Sequence, residues 1–342
     1  MRILLVGADS RYAIERPYFN YLAKIEGVSS IDFFKAQNLF LEYYNRSTIN
    51  KIWYRAGLSS ILPKINQQLR SFIEEQKPDV VWIFKGMEIV PQTLKWIKDK
   101  KIKIVNYNPD NPFLFSGRGS GNRNIIDSVG LYDLHFTYDL SVRKRIEESY
   151  GIPCATLPFG FDLSEELYTK SKLQSEIAKT CFVGSADKDR TLFVNQLAKE
   201  GILIDVYGND WAKFFTHKNI QKHQPVYNDD FWLTLRKYRV QLNLMRPHNP
   251  HSHNMRTFEV PGVGGVQLAP DTEDHKIFFE PEKEIFIYKE VEECRNQIKN
   301  LLSLSKDEAD KVRLAARSRS LSAGYGYDNR AKQVMEAFKQ LF

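Results

Sequence analysis

The chain has 342 residues, 42% of them hydrophobic and 27% charged, which is typical of a soluble globular protein with about two domains. Its net charge of +7 is spread along the sequence rather than concentrated in one basic tract, which argues against nucleic-acid binding. The same charge leaves attraction to phosphorylated donors and peripheral association with an anionic membrane open. An apolar run of about 18 residues and a basic-then-apolar leader are both missing, so we expect neither a membrane span nor a secretion signal. Three scattered cysteines favour a cytoplasmic location.

Strand-like and helix-like segments alternate along the first half of the chain, the pattern of a parallel sheet covered by helices. The predicted strands are Arg2–Val6, Ser30–Phe34, Asp79–Phe84, Lys103–Tyr107, Leu134–Thr137 and Ala155–Leu157. The predicted helices are Ile14–Ile25, an aromatic and basic insert at Gln37–Ser59, Ile61–Gln76, Pro91–Lys100 and Ser141–Tyr150. These segments predict a first domain over residues 1–165.

The alternation pauses at Leu163–Lys179, a polar stretch that we interpret as a linker, and then resumes. The predicted strands of the second series are Thr180–Gly184, Leu203–Tyr207, Val240–Leu244, Gly265–Leu268 and Glu284–Tyr288. The predicted helices are Arg190–Glu200, Asp229–Tyr238, Val291–Leu304, Asp307–Ser322 and Asn329–Phe342. We therefore predict an α/β protein with a second parallel-sheet domain over residues 166–326 and a final helix within 327–342. Two such domains imply a cleft that serves two substrates.

The segment Asn254–Leu268 joins two predicted strands and carries the most informative side chains. Arg256 and Glu259 are three residues apart, so they share a face if the segment is helical. They would then lie beyond the carboxyl end of a parallel strand, where open sheets bind their ligands. A guanidinium can hold a diphosphate, and a carboxylate can accept hydrogen bonds from ribose hydroxyls, so the pair predicts a nucleotide-sugar site. The alternative is an exposed helical ion pair.

A glycine-initiated turn connects the first strand and the first helix of the second series. Gly184 and Ser185 begin this turn, and Arg190 follows it. Its backbone amides and the Arg190 guanidinium are placed to contact a phosphate. The alternative is a plain capping loop, in which Asp187 or Asp189 caps the helix. The Asp-x-Asp pattern of these two residues also fits a metal site, but the surrounding architecture favours a cap.

Aromatic and imidazole groups near the same strands have several interpretations. Most of the aromatic and amide groups are expected to pack in the core or on the surface, and one of them can stack on the donor base; they are Tyr207, Asn209, Trp211 and Tyr227. His248, His251 and His253 are close enough in sequence to bind a transition metal, to contact donor phosphate or sugar, or to form a solvated loop. Neither helical nor zinc-finger spacing supports a metal, so we predict that the site binds none.

The first domain offers one candidate for acid–base chemistry. Asp110 follows a predicted strand and precedes a long glycine-rich loop that contains Arg118. It is our candidate acid or base on the acceptor side, and Arg118 and Arg123 are candidates for steering an anionic acceptor. The alternative is that Asn, Asp and Pro simply make a turn here. The turn at Gly7 lacks the Gly-x-Gly-x-x-Gly pattern, which argues against a dinucleotide cofactor.

The order of these motifs resembles a known family over nearly the whole chain. The matching pieces include Asn108–Pro112, Phe182–Ser185, Val206–Trp211, Leu242–Asn243, Arg256–Glu259 and Tyr327–Arg330. In this order they resemble GT-B glycosyltransferases, and they are most similar to CgeB-like spore-maturation proteins related to glycosyltransferase family four. The resemblance implies two Rossmann-like domains that face a cleft, with the final helix packing back on the first domain.

The resemblance also implies a reaction and a set of contacts. It implies metal-independent transfer of a sugar from a nucleotide-diphosphate sugar to a glycan, a lipid-linked glycan or a protein. Glu259 is expected to hold the donor ribose, and Asn254 and Thr257 belong to the same donor segment. Many relatives carry a Glu where this chain has His251, which makes His251 a candidate catalytic residue with an altered sugar contact. A nucleotide-sugar epimerase or hydrolase, and a non-catalytic binding protein, are the alternatives; the oligomeric state is left open.

Overall fold

The computed structural model describes residues 1–115, 121–246 and 252–342, and it divides into two compact units. The first unit comprises Met1–Pro158 together with Tyr327–Phe342, and the second comprises Phe159–Gly326. The last helix of the chain therefore belongs to the same unit as the first strand. In the described ranges, no helix combines the length and the apolar character needed to cross a membrane.

The first unit is built on one six-stranded parallel sheet in the order β2-β1-β3-β4-β5-β6. Its strands are β1 (Arg2–Val6), β2 (Ser30–Phe34), β3 (Val80–Phe84), β4 (Lys103–Tyr107), β5 (Leu134–Thr137) and β6 (Cys154–Thr156). Its helices are α1 (Glu15–Leu22), α2 (Ala36–Arg46), α3 (Thr48–Arg55), α4 (Ile61–Gln76), α5 (Pro91–Asp99), α6 (Arg123–Ser128), α7 (Leu140–Tyr150) and, at the chain end, α15 (Tyr327–Lys339).

Apolar side chains on both faces of this sheet pack against the surrounding helices and form the core of the first unit. Every residue of β3 is buried, as expected for a central parallel strand covered by helices on both sides. On one face, Trp82 of β3 meets Phe338 of α15 with ring centroids 5.5 Å apart, and Tyr18 of α1 meets Tyr327 at 5.3 Å. These edge-to-face contacts bring α15 against α1 and complete the core of the first unit.

The second unit contains a second six-stranded parallel sheet, in the order β12-β11-β10-β7-β8-β9. Its strands are β7 (Ile177–Val183), β8 (Ile204–Tyr207), β9 (Ile220–His223), β10 (Tyr238–Leu242), β11 (Gln267–Pro270) and β12 (Phe286–Tyr288). Its helices are α8 (Glu165–Lys172), α9 (Lys188–Lys199), α10 (Asn228–Lys237), α11 (Arg256–Gly262), α12 (Glu273–Phe278), α13 (Val291–Ser303) and α14 (Lys306–Ser322).

The predicted linker at Leu163–Lys179 is wrong, because this segment carries α8 and the first residues of β7. Ser164 caps α8 by accepting a hydrogen bond from the Leu167 amide at 3.2 Å. Acidic residues occupy the first turn of α8 and lysines the last turn, which complements the helix dipole. The polarity that suggested a linker is therefore the solvent-facing charge of a short helix.

The strand order of each sheet identifies where a ligand is expected to bind. In the first sheet the direction of winding reverses between β1 and β3, and in the second it reverses between β7 and β10. Loops that leave neighbouring strands at such a point run to opposite faces and open a crevice at the carboxyl ends. The residues that follow Val6, Phe84, Val183 and Leu242 are thus the first places to search for a site.

Candidate functional site

A cavity of about 310 Å³, which we call the donor cavity, lies at the carboxyl ends of β7, β8 and β10. It occupies the switch point of the second sheet, where the strand order predicts a ligand crevice. The donor cavity is lined by Phe182, Val183, Gly184, Ser185, Arg190, Tyr207, Gly208, Asn209, Pro225, Val226, Tyr227, Asn243, Leu244, Arg246, Asn254, Met255 and Arg256.

Two glycines allow the loops after β7 and β8 to meet at the floor of the donor cavity. The Gly184 amide donates to the Tyr207 carbonyl at 2.8 Å, and the Ala186 amide donates to the Asn209 carbonyl at 2.9 Å. Gly208 has a φ of +154°, and a Cβ there would lie 2.1 Å from the Gly184 carbonyl oxygen. Only glycine therefore permits this close approach of the two backbones.

Arg190 is fixed at one wall of the donor cavity with 11% of its side chain exposed. Its Nη2 donates to the Leu244 carbonyl at 2.9 Å, and its Nη1 donates to the Ser185 carbonyl at 3.2 Å. Burial lowers the pKa of Arg190 to about 10, with Asp187 opposing the shift and Arg246 adding to it. The guanidinium is therefore still charged at neutral pH, in a wall that carries further cations.

The structure confirms the helical placement of Arg256 and Glu259. Arg256 Nη1 donates to Glu259 Oε2, and Arg256 Nε donates to the Val183 carbonyl at 3.1 Å. The guanidinium also lies 4.5 Å from the ring centroid of Phe231. Burial raises the pKa of the Glu259 carboxyl, and the neighbouring positive charge opposes that rise. Glu259 thus orients a guanidinium that lines the donor cavity.

A network of neutral polar groups holds the segment before α11. Asn254 Nδ2 donates to Asn243 Oδ1 at 2.7 Å, and the Asn254 and Thr257 backbone amides each donate to the other's side-chain oxygen, at 3.2 Å and 3.3 Å. Thr257 Oγ1 also lies 2.9 Å from His275 Nε2. Burial lowers the pKa of His275 to about 4, so this histidine is neutral at physiological pH. Thr257 therefore positions the amide side chains that line the donor cavity.

The residues predicted to contact the donor line the cavity, lie behind its wall, or lie outside the described residues. Six of them line the donor cavity: Gly184, Ser185, Arg190, Tyr207, Asn254 and Arg256. Thr257 and Glu259 lie behind that wall and contact residues that form it. His251, and with it His248 and Arg118, lies outside the described residues. The alternative of a capping loop at the turn after β7 is also observed, because Asp187 Oδ1 accepts a hydrogen bond from the Arg190 amide at 2.9 Å.

Tyr227, one of the residues that the sequence offered for the donor base, precedes α10 with 40% of its surface exposed. Sequence reasoning assigned no contact in the donor cavity to Asn243 and Arg246, which follow β10. The available signal was their position directly after or between predicted strands of a parallel sheet. Tyr207 has one face covered by the His223 ring, stacked at 4.4 Å, so Tyr227 is the more accessible aromatic side chain.

His253 is part of the core of the second unit. Its Nδ1 lies 2.6 Å from Asp274 Oδ2, and its ring is 1% exposed. Burial opposes ionisation of Asp274, but hydrogen bonds from His253 and Ser252 keep the pKa of that carboxyl below its usual value. Among residues 1–115, 121–246 and 252–342, no three His, Cys, Asp or Glu side chains form a group that could hold a metal ion.

Charged residues also gather at the switch point of the first sheet. Lys85 directly follows β3, and its Nζ lies 2.7 Å from Asp110 Oδ2 in the loop after β4. Lys85 has a backbone φ of +60°, which lies in the left-handed region that residues other than glycine and asparagine rarely adopt. Asn108 Oδ1 accepts a hydrogen bond from the Asp110 amide at 3.0 Å and so fixes the turn. Asp110 is therefore a positioned, ion-paired carboxylate.

Two buried carboxyl groups near this switch point were missed by the sequence. Glu15 begins α1, and its Oε1 accepts a hydrogen bond from the Ala8 amide at 2.9 Å. Glu88 lies in the turn after β3. Burial raises the pKa of both carboxyls to about 7. Groups that titrate near neutral pH are suited to proton transfer, so both join Asp110 as candidates.

One described protein family is similar to part of the chain. Residues 190–336 match a family described as glycosyl transferase-like. The matched range is less than half of the chain; it holds the walls of the donor cavity from Arg190 to Arg256 and continues into α15. A search of curated proteins found no match to the sequence.

Solved structures show that the whole chain has the GT-B fold. Sucrose-phosphate synthase from Thermosynechococcus elongatus has a TM-score of 0.72 and 11% identity, over 100% of this chain and 99% of its own. HepE from Anabaena in complex with UDP has a TM-score of 0.65 and 12% identity, over 99% and 100%. UDP-GlcNAc 2-epimerase from Neisseria meningitidis has a TM-score of 0.57 and 14% identity, over 99% and 100%. At these identities the likeness concerns the fold alone.

Proposed function

We propose that the chain transfers a sugar from a uridine-diphosphate sugar to an acceptor without a metal ion. The observation that carries this proposal is the donor cavity, in which three arginines surround a space at the switch point of a parallel sheet. A diphosphate is the ligand that best matches three guanidinium groups with only partial neutralisation by protein carboxylates. The uridine base is suggested by HepE, whose structures contain UDP and UDP-glucose.

The proposed donor contacts follow from the geometry of the wall. Arg256 and Arg246 bind the diphosphate oxygens, and Arg190 braces the loops after β7 and β10 while adding positive charge. Preorganised cations stabilise the charge that develops on the leaving diphosphate, which is the role that a metal ion would otherwise take. Glu259 holds Arg256 in place, and its contact with the donor ribose stays a prediction from the sequence. Tyr227 contacts the base.

On the acceptor side, we propose that Asp110 acts as the acid or base. It follows β4, next to the switch point of its own sheet, and it is 25% exposed in side chain. Its contact with Lys85 orients the carboxylate. Glu15 and Glu88 are the competing candidates, because burial brings their pKa values near neutrality. From the sequence alone, we also propose that His251 contacts the transferred sugar.

The finer family assignment also belongs to this proposal. The ordered motifs are similar to those of CgeB-like proteins, and within the donor segment the similar stretch is Arg256–Glu259. The acceptor is a glycan, a lipid-linked glycan or a protein, and the positive net charge favours an anionic one. The same charge supports peripheral association with an anionic membrane.

The experiment is a UDP-release assay with UDP-hexoses and UDP-N-acetylhexosamines, run in EDTA with and without a pool of candidate glycan and lipid-linked acceptors. We expect acceptor-dependent UDP release, lowered about 100-fold or more in Asp110→Asn if proton transfer by this carboxylate is lost. Glu88→Gln is the matched comparison, since it removes a competing buried carboxyl. If an isomeric UDP-sugar forms without an acceptor, the protein is an epimerase rather than a transferase. If turnover in Asp110→Asn is undiminished, Asp110 takes no part in the mechanism.

A further inference from the structure

The second unit contains another cavity, of about 490 Å³, which we call the α8–α14 cavity. Its walls come from α8, from the segment that leads into β7, from α10 and from α14. Glu176, at this cavity, immediately precedes β7, whereas the donor cavity lies beyond the other end of the same strand, at Val183 and Gly184. The two cavities therefore lie at opposite edges of the sheet.

Arg313 is the central cation of the α8–α14 cavity. Its side chain is only 3% exposed, and its Nη1 donates to Asp310 Oδ1 at 3.0 Å and to Glu176 Oε2 at 3.2 Å. Its Nε and Nη2 are buried without a hydrogen-bond partner among the described residues. Buried N–H groups of a charged side chain are costly when unpaired, so an acceptor that reached them from the cavity would be bound favourably.

A second guanidinium shares the Asp310 carboxylate with the first one. Arg236 is 15% exposed in side chain, and its closest carboxylate contact is Asp310 Oδ1 at 3.8 Å. Its Nε is also buried without a partner in the described ranges, and it lies beside Gly264 on the cavity wall. Burial lowers the pKa of Arg236 to about 10, and the like charge of Arg313 contributes to that shift. An additional anion in contact with both side chains would relieve the repulsion that Asp310 neutralises only in part.

The charges that line the cavity favour such an anion. Lys172 and Lys306 add two exposed cations at the rim, so four cationic side chains face the carboxylates of Glu176 and Asp310. Glu176 is also shared with Arg239, which reduces its capacity to neutralise the cavity. We propose that the α8–α14 cavity binds a phosphate-bearing small molecule whose oxygens accept hydrogen bonds from Arg236 and Arg313.

The chemical class follows from the donors and the space. Guanidinium forks match the oxygens of phosphate better than the point charge of a lysine does. A volume of about 490 Å³ exceeds what a single phosphate needs and leaves room for an organic group of hexose size. Tyr168 supplies an apolar surface at the same wall. The site is independent of the donor cavity, and it stands even if the proposed transfer reaction does not.

The test is calorimetric titration of inorganic phosphate and of a hexose 6-phosphate into the full chain, with UDP first added to saturation. We expect binding at one site per chain, weakened at least about tenfold by Arg236→Gln because charge-assisted hydrogen bonds are lost. UDP affinity, measured separately, should not change in this variant. Tighter binding of the hexose 6-phosphate than of phosphate identifies a phosphate ester as the ligand, and equal binding identifies inorganic phosphate.

Two further variants keep the result interpretable. Arg143→Gln is the matched control, because this arginine is exposed on α7 of the first unit and should leave phosphate binding unchanged. If Arg236→Gln fails to fold, the double variant Lys172→Ala/Lys306→Ala removes two exposed rim charges and should also weaken binding. Absence of binding by the wild-type protein, or equal binding by the wild type and both cavity variants, would overturn the proposal. Since UDP binding is read separately, neither result depends on the donor cavity.

Discussion

Arg256→Met is expected to lose donor affinity and stability together. The substitution keeps much of the side-chain volume but removes a guanidinium that lines the donor cavity and pairs with Glu259. Loss of charge-assisted hydrogen bonds to a diphosphate should weaken UDP binding by about 10- to 100-fold. The Glu259 carboxyl, 9% exposed, would remain buried without its partner, which costs about 3–5 kcal/mol in the free energy of unfolding at neutral pH.

The stability loss in Arg256→Met should depend on pH in a defined direction. Burial already raises the pKa of Glu259, and removal of the adjacent positive charge raises it further. A carboxyl whose folded pKa exceeds its unfolded value binds more protons in the folded state, so stability falls as pH rises through that range. The deficit should therefore shrink as pH is lowered toward the unfolded value of about 4.3.

Urea denaturation between acidic and neutral pH measures this effect, and two variants control it. Arg295→Met removes an arginine with the same 25% exposure, paired with Glu292 three residues away, but remote from both cavities. It should change stability by no more than about 1 kcal/mol, as for a surface ion pair. Adding Glu259→Gln to Arg256→Met should abolish the pH dependence. If Arg256→Met is as stable as Arg295→Met at neutral pH, Glu259 is not held by Arg256 in the way described.

Gly208→Ala is expected to close the floor of the donor cavity. The new Cβ would lie 2.1 Å from the Gly184 carbonyl oxygen and 2.9 Å from the Ser185 nitrogen, both backbone atoms that cannot rotate away. The loops after β7 and β8 would have to separate, and the φ of +154° adds strain. We expect UDP affinity to fall at least about tenfold and stability to fall by about 1–3 kcal/mol.

Gly201→Ala is the control that separates backbone strain from the steric clash expected in Gly208→Ala. Gly201 lies in the same unit with a φ of +93°, and a Cβ there would meet nothing within 4 Å. It should reproduce part of the stability loss, measured by thermal unfolding, and leave UDP affinity unchanged. Equal UDP affinity in Gly208→Ala and wild type would show that the close approach of the two loops does not shape the donor site.

The sequence predicted most of the fold because central parallel strands leave a clear apolar pattern. Val80–Phe84 is buried throughout and reads as one apolar run. β9 was missed because Ile220–His223 has a single buried residue at the edge of its sheet, where polar side chains are tolerated. α8 was missed for a related reason, since its charged residues face solvent and resemble a linker in composition.

Six residues that line the donor cavity were singled out from the sequence, but the contacts they make were not. Spacing places Arg256 and Glu259 on one face, yet it does not reveal that they bind each other and that Glu259 lies behind the wall. Asn243 and Arg246 were assigned no contact because their role depends on which strand ends are adjacent, which is a property of strand order. The raised pKa of Glu88 depends on burial by residues distant in sequence, so composition offers no signal for it.

The most direct test of the donor site is calorimetric titration of UDP into the full chain in EDTA, with Arg256→Met and Arg295→Met measured beside the wild type. The account predicts that UDP binds the wild type without metal, that Arg256→Met binds it about 10- to 100-fold more weakly, and that Arg295→Met matches the wild type. Failure of UDP and GDP to bind the wild type, or equal affinity in Arg256→Met, would contradict the assignment of this cavity to the sugar donor.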